Sequence, residues 1–270
     1  MTLASFTDLN NVLPAWVVCV MFITIVIGLA QLGLMLFNKW ERRNSITSGN
    51  EVAGIMFGTI SLIYSLILAF VIVAVWEDYE DLEKNIQAET DNMNSIITHT
   101  STMPDSVRKP VYDALYTYCQ RVVDNEWHMD TDSLNNQSSA IPCLRLMLLT
   151  KNPVNELQQR VFDVIDANLS QITELRRNRL THNHSQIPGL VWLILQSGSV
   201  ILIVFSYFFQ VSSLKLKRIY LSFLSGCLAM CLFLVSSLDH PFNRYMHLSK
   251  VPYLEIQQTL NKDNRLICEE

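Results

Sequence analysis

Four stretches of this chain, residues 13–37, 53–76, 188–211 and 219–238, contain no Asp, Glu, Lys or Arg. A helix rises about 1.5 Å per residue, so roughly 20 apolar residues cross a hydrocarbon core about 30 Å thick. Each stretch meets that length. A soluble core rarely needs one such run, and four of them place the chain in a lipid bilayer. No water reaches backbone groups there, so each run closes its own hydrogen bonds as a helix. A transmembrane barrel would need short alternating segments, which are absent. Composition agrees: 50% of the 270 residues are hydrophobic and 17% are charged, against about 25% charged in ordinary soluble domains. The first run is too long for the apolar region of a signal peptide, about 7–15 residues, and no Lys or Arg precedes it. It reads as a retained span. Trp16, Trp40, Trp76, Trp192 and Tyr220 lie at or near span ends, where amphipathic rings anchor.

The expected fold is therefore all-α: an integral membrane protein of four transmembrane helices with a helical polar domain inserted between the second and third. The expected organisation is residues 1–76 with two spans, insert 77–187, spans over 188–238, and a tail over 239–270. The short loop at 38–52 carries Lys39, Arg42 and Arg43, and that at 212–218 carries Lys215, Lys217 and Arg218. Basic short loops favour the cytoplasm. The insert opens on the acidic Glu77, Asp78, Glu80, Asp81 and Glu83. These charges predict a cell (inner) membrane protein whose insert and both termini are extracytoplasmic, against the opposing pull of Arg176, Arg177, Arg179, Arg244 and Lys250. The net charge of −5 points to no nucleic-acid partner.

Within the insert, Tyr79, Leu82, Ile86, Glu89, Met93 and Ile96 step by three and four residues, as if the second span continued into solvent as an amphipathic helix. Pro104 is placed to open a second helix carrying Val107, Val111, Leu115, Tyr118 and Val122. Residues 130–140 are rich in Ser, Asn and Asp and predict a loop. Val154, Leu157, Val161, Ile165, Leu169, Ile172 and Leu175 form a third stripe suited to a helical bundle or coiled coil.

Gly54, Gly58, Ser61, Ser65 and Ala69 share one face of the second span. Small residues let helices approach closely in lipid, and the same face offers hydroxyls to a pore. On the pore reading, Phe70 is a hydrophobic constriction. Ser222, Ser225, Gly226, Ala229 and Ser236 repeat the pattern in the fourth span. Gln31 and Gln196 are the most polar side chains within the spans, and a lone Gln there usually bonds across a helix interface. The absence of intramembrane charge argues against active transport more than against a passive channel. Glu89 and Glu126 with Arg176, Arg177 and Arg179 form either an ion-pair network or an anion-attracting collar. Cys119 and Cys143 pair only if their side is oxidising. His128, His182 and His184 lack the converging spacing of a metal site, and no phosphate loop, nucleophile elbow or catalytic carboxylate pair is present. No metal, cofactor or enzymatic activity is therefore expected.

The chain resembles the bestrophin-like domain proteins. The resemblance runs through Ala53-Gly54, Gly58, Tyr64 and Phe70; Trp76, Tyr79 and Ala88-Glu89; Pro104, Tyr118 and Glu126-Trp127; Arg176-Arg177 and Arg179-Leu180; Ile187-Pro188, Trp192, Leu195 and Gly198; and Leu238-Asp239-His240-Pro241-Phe242. It covers about residues 50–260. Asn243-Arg244 stand where the family usually has a glycine, which bears on a tight turn and not on the fold. The resemblance implies two span pairs with a helical insert. By analogy with bestrophins, which are pentameric anion channels, it also implies a homo-oligomeric channel for anions or small solutes. The alternative is a non-conducting scaffold or sensor whose insert binds a ligand or partner protein.

Overall fold

A computed structural model of the chain describes residues 14–44, 50–127, 141–142, 144–146, 155–181, 187–211, 213–239 and 248–268. The predicted loop at 130–140, together with His128, His182, His184, Cys143, Pro241, Phe242, Asn243 and Arg244, lies outside the described residues. The described elements are helices: α1 (Ala15–Asn44), α2 (Asn50–Thr100), α3 (Asp105–Arg121), a π-helical turn (Val122–Glu126), α4 (Glu156–Thr181), α5 (Gly189–Ser206), α6 (Leu214–Leu238) and α7 (Val251–Cys268). Ala15–Glu41, Glu51–Thr100, Gly189–Ser206 and Leu214–Leu238 are long and apolar enough to cross a membrane. The all-α, four-span architecture is that expected from the apolar runs.

The chain divides into two compact units, Met1–Tyr79 with Ser185–Met246, and Glu80–His184 with His247–Glu270. In the first, α1 packs along α6 and α5 along α6. Lipid is as apolar as Leu, so contact area alone does not drive helices together there; close packing and cross-helix hydrogen bonds do. Gln31 of α1 donates through Nε2 to the Arg218 carbonyl and to Ser222 Oγ of α6, both at 2.9 Å. The Tyr207 hydroxyl donates to the Ala30 carbonyl at 2.9 Å. Tyr64 of α2 donates to the Leu195 carbonyl of α5 at 3.0 Å. Its ring lies so close to Gly198 that a Cβ there would sit 2.5 Å from two ring carbons. In α6, Ser225 and Ala229 are buried, and Gly226 faces Ile23 and Ile27 of α1.

Span limits differ from the sequence windows at both short loops. The expected loop at 38–52 is helical at both ends, since α1 runs on to Asn44 and α2 begins at Asn50. The third span was expected to reach residue 211, but α5 ends at Ser206. There the chain tightens, with the Tyr207 and Phe208 amides donating to the Val204 and Phe205 carbonyls, each at 3.1 Å. The expected loop at 212–218 is largely helix. Ser213 is extended, and its carbonyl accepts from the Lys217 amide at 3.0 Å to begin α6. Lys217 is therefore a buried helical residue, 8% exposed, and not a loop cation.

In the second unit, Leu82, Ile86, Met93 and Ile96 of α2 are buried, as are Val107, Val111, Leu115 and Tyr118 of α3 and Val122 of the π-turn. The first two predicted stripes thus face a core. The third is shifted: α4 buries Phe162, Ile165, Leu169, Ile172 and Arg179, while Leu157 is exposed. Pro104 precedes α3, its carbonyl accepting from the Val107 amide at 2.8 Å. The proline's fixed φ suits that place. Helix α7 lies on α3.

Candidate functional site

Three groups of residues carry chemistry, and each lies within one unit. The first is a buried ion network in the second unit. The apolar stripe of α2 is interrupted by Glu89, which is fully buried. A buried carboxylate needs a paired charge or several donors, and α4 supplies the charge. Arg179 Nε donates to Glu89 Oε2 at 3.1 Å, and its Nη2 donates to Glu126 Oε2 at 2.9 Å. Arg176, one helical turn earlier, grips Glu126 with Nε at 3.0 Å and Nη2 at 2.7 Å from Oε1. The Tyr118 hydroxyl of α3 donates to Glu89 Oε1 at 2.5 Å. Two carboxylates thus balance two guanidiniums. Arg177 is exposed on the same helix and takes no part among the described residues.

The π-turn explains how Glu126 reaches this cluster. It closes with the Trp127 amide donating to the Val122 carbonyl at 3.1 Å, and it buries both Val122 and Glu126. One extra residue per turn rotates the following side chains relative to an α-helix, and such turns recur at functional positions. Trp127 is also buried and meets the Tyr253 ring edge-on, centroids 5.9 Å apart. Helix α7 closes the cluster: the Arg179 guanidinium lies 5.7 Å from the Tyr253 ring centroid. Lys250 donates to the Val123 carbonyl at 3.1 Å, its ammonium 5.7 Å from the Trp127 ring.

The electrostatics follow from burial and pairing. Burial works against the charge on Arg179, but Glu89, the two tyrosines and Glu126 outweigh it and hold its pKa well above the ordinary value. Arg176 is raised in the same way by Glu126. Burial would raise Glu126, yet the Arg176 hydrogen bond and both guanidinium charges lower it. Burial first, then the Glu89 carboxylate, pushes the Tyr118 phenol well above its usual range. The same two causes push the Cys119 thiol up to about 12. Cys119 is buried, with its sulfur 3.6 Å from that of Met93.

The second group fixes the start of α5. The Asp239 carboxylate, 1% exposed, accepts from the Ile187 amide at 3.0 Å and from Trp192 Nε1 at 3.1 Å. Pro188 supplies the extended turn before the helix. Three residues of the sequence motif, Pro188, Trp192 and Asp239, therefore form one joint between the ends of α5 and α6. Trp76 is half exposed, with Tyr79 at 6.3 Å.

The third group is the outward surface of the spans. Gly58, Ser65, Ala69 and Phe70 of α2 are exposed, and Gly54 and Ser61 are half-buried. Gly58 has no atom within 4 Å of where a Cβ would stand. Leu62 and Leu66 are exposed beside Phe70 at four-residue steps, so the three share a face. Gln196 of α5 is exposed, and its side-chain amide makes no hydrogen bond among the described residues. Gln31 thus behaves as the sequence predicts, whereas Gln196 points away from the chain's own partners.

Sequence reasoning brought together Glu89, Glu126, Arg176 and Arg179 but missed Tyr118 as a donor, Tyr253, Lys250 and the π-turn. The visible signal was Glu89 itself, a carboxylate inside an apolar stripe. Among the described residues no cluster of His, Cys, Asp and Glu is arranged to hold a metal.

A family model described as a Bestrophin-like domain matches residues 24–253 of the chain. Two solved structures of point variants of a bacterial Bestrophin homolog from Klebsiella pneumoniae share the fold. One has a TM-score of 0.70 at 13% identity, covering 90% of this chain and 97% of that one. The other has a TM-score of 0.69 at 12% identity, covering 90% and 98%. A further crystal structure, described as a membrane protein, has a TM-score of 0.62 at 11% identity, covering 90% and 97%. No curated protein matches the chain.

Proposed function

The chain belongs to the Bestrophin-like domain family, and from that membership we propose that it assembles as a homo-oligomeric membrane channel passing anions or small solutes. The observation that carries the reading is Gln196. An amide in hydrocarbon without a partner costs several kcal/mol, on the order of 2–7, so the outward face of α5 requires another copy of the chain or water. The small-residue flank of α2 (Gly58, Ser65 and Ala69) has the composition of a surface at which helices meet. Once copies meet there, the neighbouring Leu62, Leu66 and Phe70 turn toward a shared axis. A ring of such side chains forms a constriction that opens and closes by wetting. The absence of Asp, Glu, Lys and Arg from residues 53–76 favours passive conduction over coupled transport.

On this reading Arg176 and Arg179 are structural, since their charges are neutralised, and of the predicted collar Arg177 remains as an exposed cation. The protein is not an enzyme. Its insert and termini are extracytoplasmic, following the basic short loops. A structure in lipid nanodiscs tests the assembly. A ring with Phe70 facing a water-wide axis is expected; a dimer with the α2 face against lipid would overturn the channel. One feature favours a second reading, a sensor or scaffold: α2 runs unbroken for 51 residues, about 76 Å.

A further inference from the structure

At the end of the bundle where the short loops lie, the first unit forms a half-open pocket of about 390 Å³. Its walls are mostly apolar, with Leu34 of α1, Phe57 of α2, and Leu221 and Leu224 of α6; Tyr207, Gln210 and Lys217 are among the polar residues that also line it. Lys217 is the group the channel reading leaves unused. Its ammonium carries three donors and no acceptor. One proton goes to the Tyr207 carbonyl at 2.9 Å, where a cation suits the carboxyl end of α5. The Phe37 ring lies 6.0 Å away. Glu41 is the carboxylate that acts on Lys217 through space, but the two form no ion pair, and no other carboxylate pairs with Lys217 among the described residues. A buried cation in the first turn of α6, lining an apolar hollow, is costly unless an anion completes it.

We propose that this cavity binds a free long-chain carboxylate, with the head on Lys217 and the chain among Leu34, Phe57, Leu221 and Leu224. The size suits this occupant: about 390 Å³ lies at the small end of ligand pockets, roughly 300–1,000 Å³, and has room for one acyl chain. The chemistry selects it, since one residual ammonium matches one carboxylate. The site stands whether or not the chain conducts, and binding is read without conductance.

The test is equilibrium binding of radiolabelled dodecanoate to the full-length protein in phosphatidylcholine nanodiscs, corrected for partition into protein-free discs. One saturable site per chain is expected. Dodecanol should compete about ten- to a hundredfold more weakly, the factor a charged hydrogen bond confers. Lys217→Gln should weaken dodecanoate by a similar factor and leave dodecanol unchanged. Leu224→Trp fills the hollow while keeping the cation, and should abolish saturable binding even if Lys217→Gln fails to fold. The absence of a saturable site, equal competition by dodecanol, or undiminished binding in Leu224→Trp would overturn the proposal. Loss of dodecanoate binding in phosphatidylglycerol nanodiscs would also overturn it, by assigning the cavity to a phospholipid.

Discussion

Arg179 shows most clearly what a single residue does in this chain. It is 1% exposed and bonds two carboxylates from different elements. Removing one partner of a buried ion pair leaves an uncompensated charge and costs about 3–5 kcal/mol. Arg179→Ala should therefore lower the thermal unfolding midpoint of detergent-purified protein sharply. Arg179→Lys should not restore it, because a point cation cannot span Glu89 and Glu126 in the planar fork of a guanidinium. Glu126 adds a pH dependence of defined sign. Its folded-state pKa is depressed, so its stabilisation is complete above the ordinary glutamate value of about 4.3. It is lost as pH falls through the lower folded value. The hydrogen-exchange protection factors of the α4 amides, corrected for the intrinsic rate at each pH, should fall between neutral pH and pH 3 only below that ordinary value. In Glu126→Gln this part of the acid sensitivity should disappear.

At the scale of elements, legibility depended on the solvent. In lipid the rule is strict: a run without charge must be a helix, and each of the four runs is helical over most of its length. In the insert the 3.6-residue period exposed α2 and α3 because one face of each meets water. The period failed at the start of α4, where Leu157 is exposed although it fits the stripe, since periodicity says which residues share a face and not where the neighbouring helix ends. The ends of spans were least legible. Tyr207 and Phe208 are as apolar as the helix before them, yet the chain turns there because Lys217 and Ala30 provide its polar partners. No residue count reveals such a long-range bond. The π-turn is silent for the same reason. Close helix contact gives a direct check. At Gly198 a Cβ would strike the Tyr64 ring, so Gly198→Ala should cost about 1–3 kcal/mol through overpacking. Gly58→Ala, with open space within its own chain, should not destabilise it and should gain up to about 1 kcal/mol from the higher helix propensity of Ala. Paired thermal melts of the two variants check this.

For the whole molecule, two kinds of cohesion operate. The unit comprising Met1–Tyr79 and Ser185–Met246 relies on close contact and a few cross-helix hydrogen bonds, because lipid offers no hydrophobic drive. The unit comprising Glu80–His184 and His247–Glu270 buries an apolar core, each large side chain contributing about 1.5–3 kcal/mol, around one neutralised ion network. That residues 247–270 belong with the insert could not be seen in their own pattern, since Tyr253 and Lys250 matter only through Arg179, Trp127 and Val123. The first unit leaves Leu62, Leu66 and Phe70 of α2 exposed, as it does Gln196 of α5, and the α2 surface is where the proposed conduction resides. Recording from purified protein in planar lipid bilayers over a range of salts, voltages and pH tests this most directly. The account predicts discrete conductance for the native chain and a larger or more frequently open conductance for Phe70→Ala. Silence of both proteins under every condition, with the oligomer intact, would contradict it.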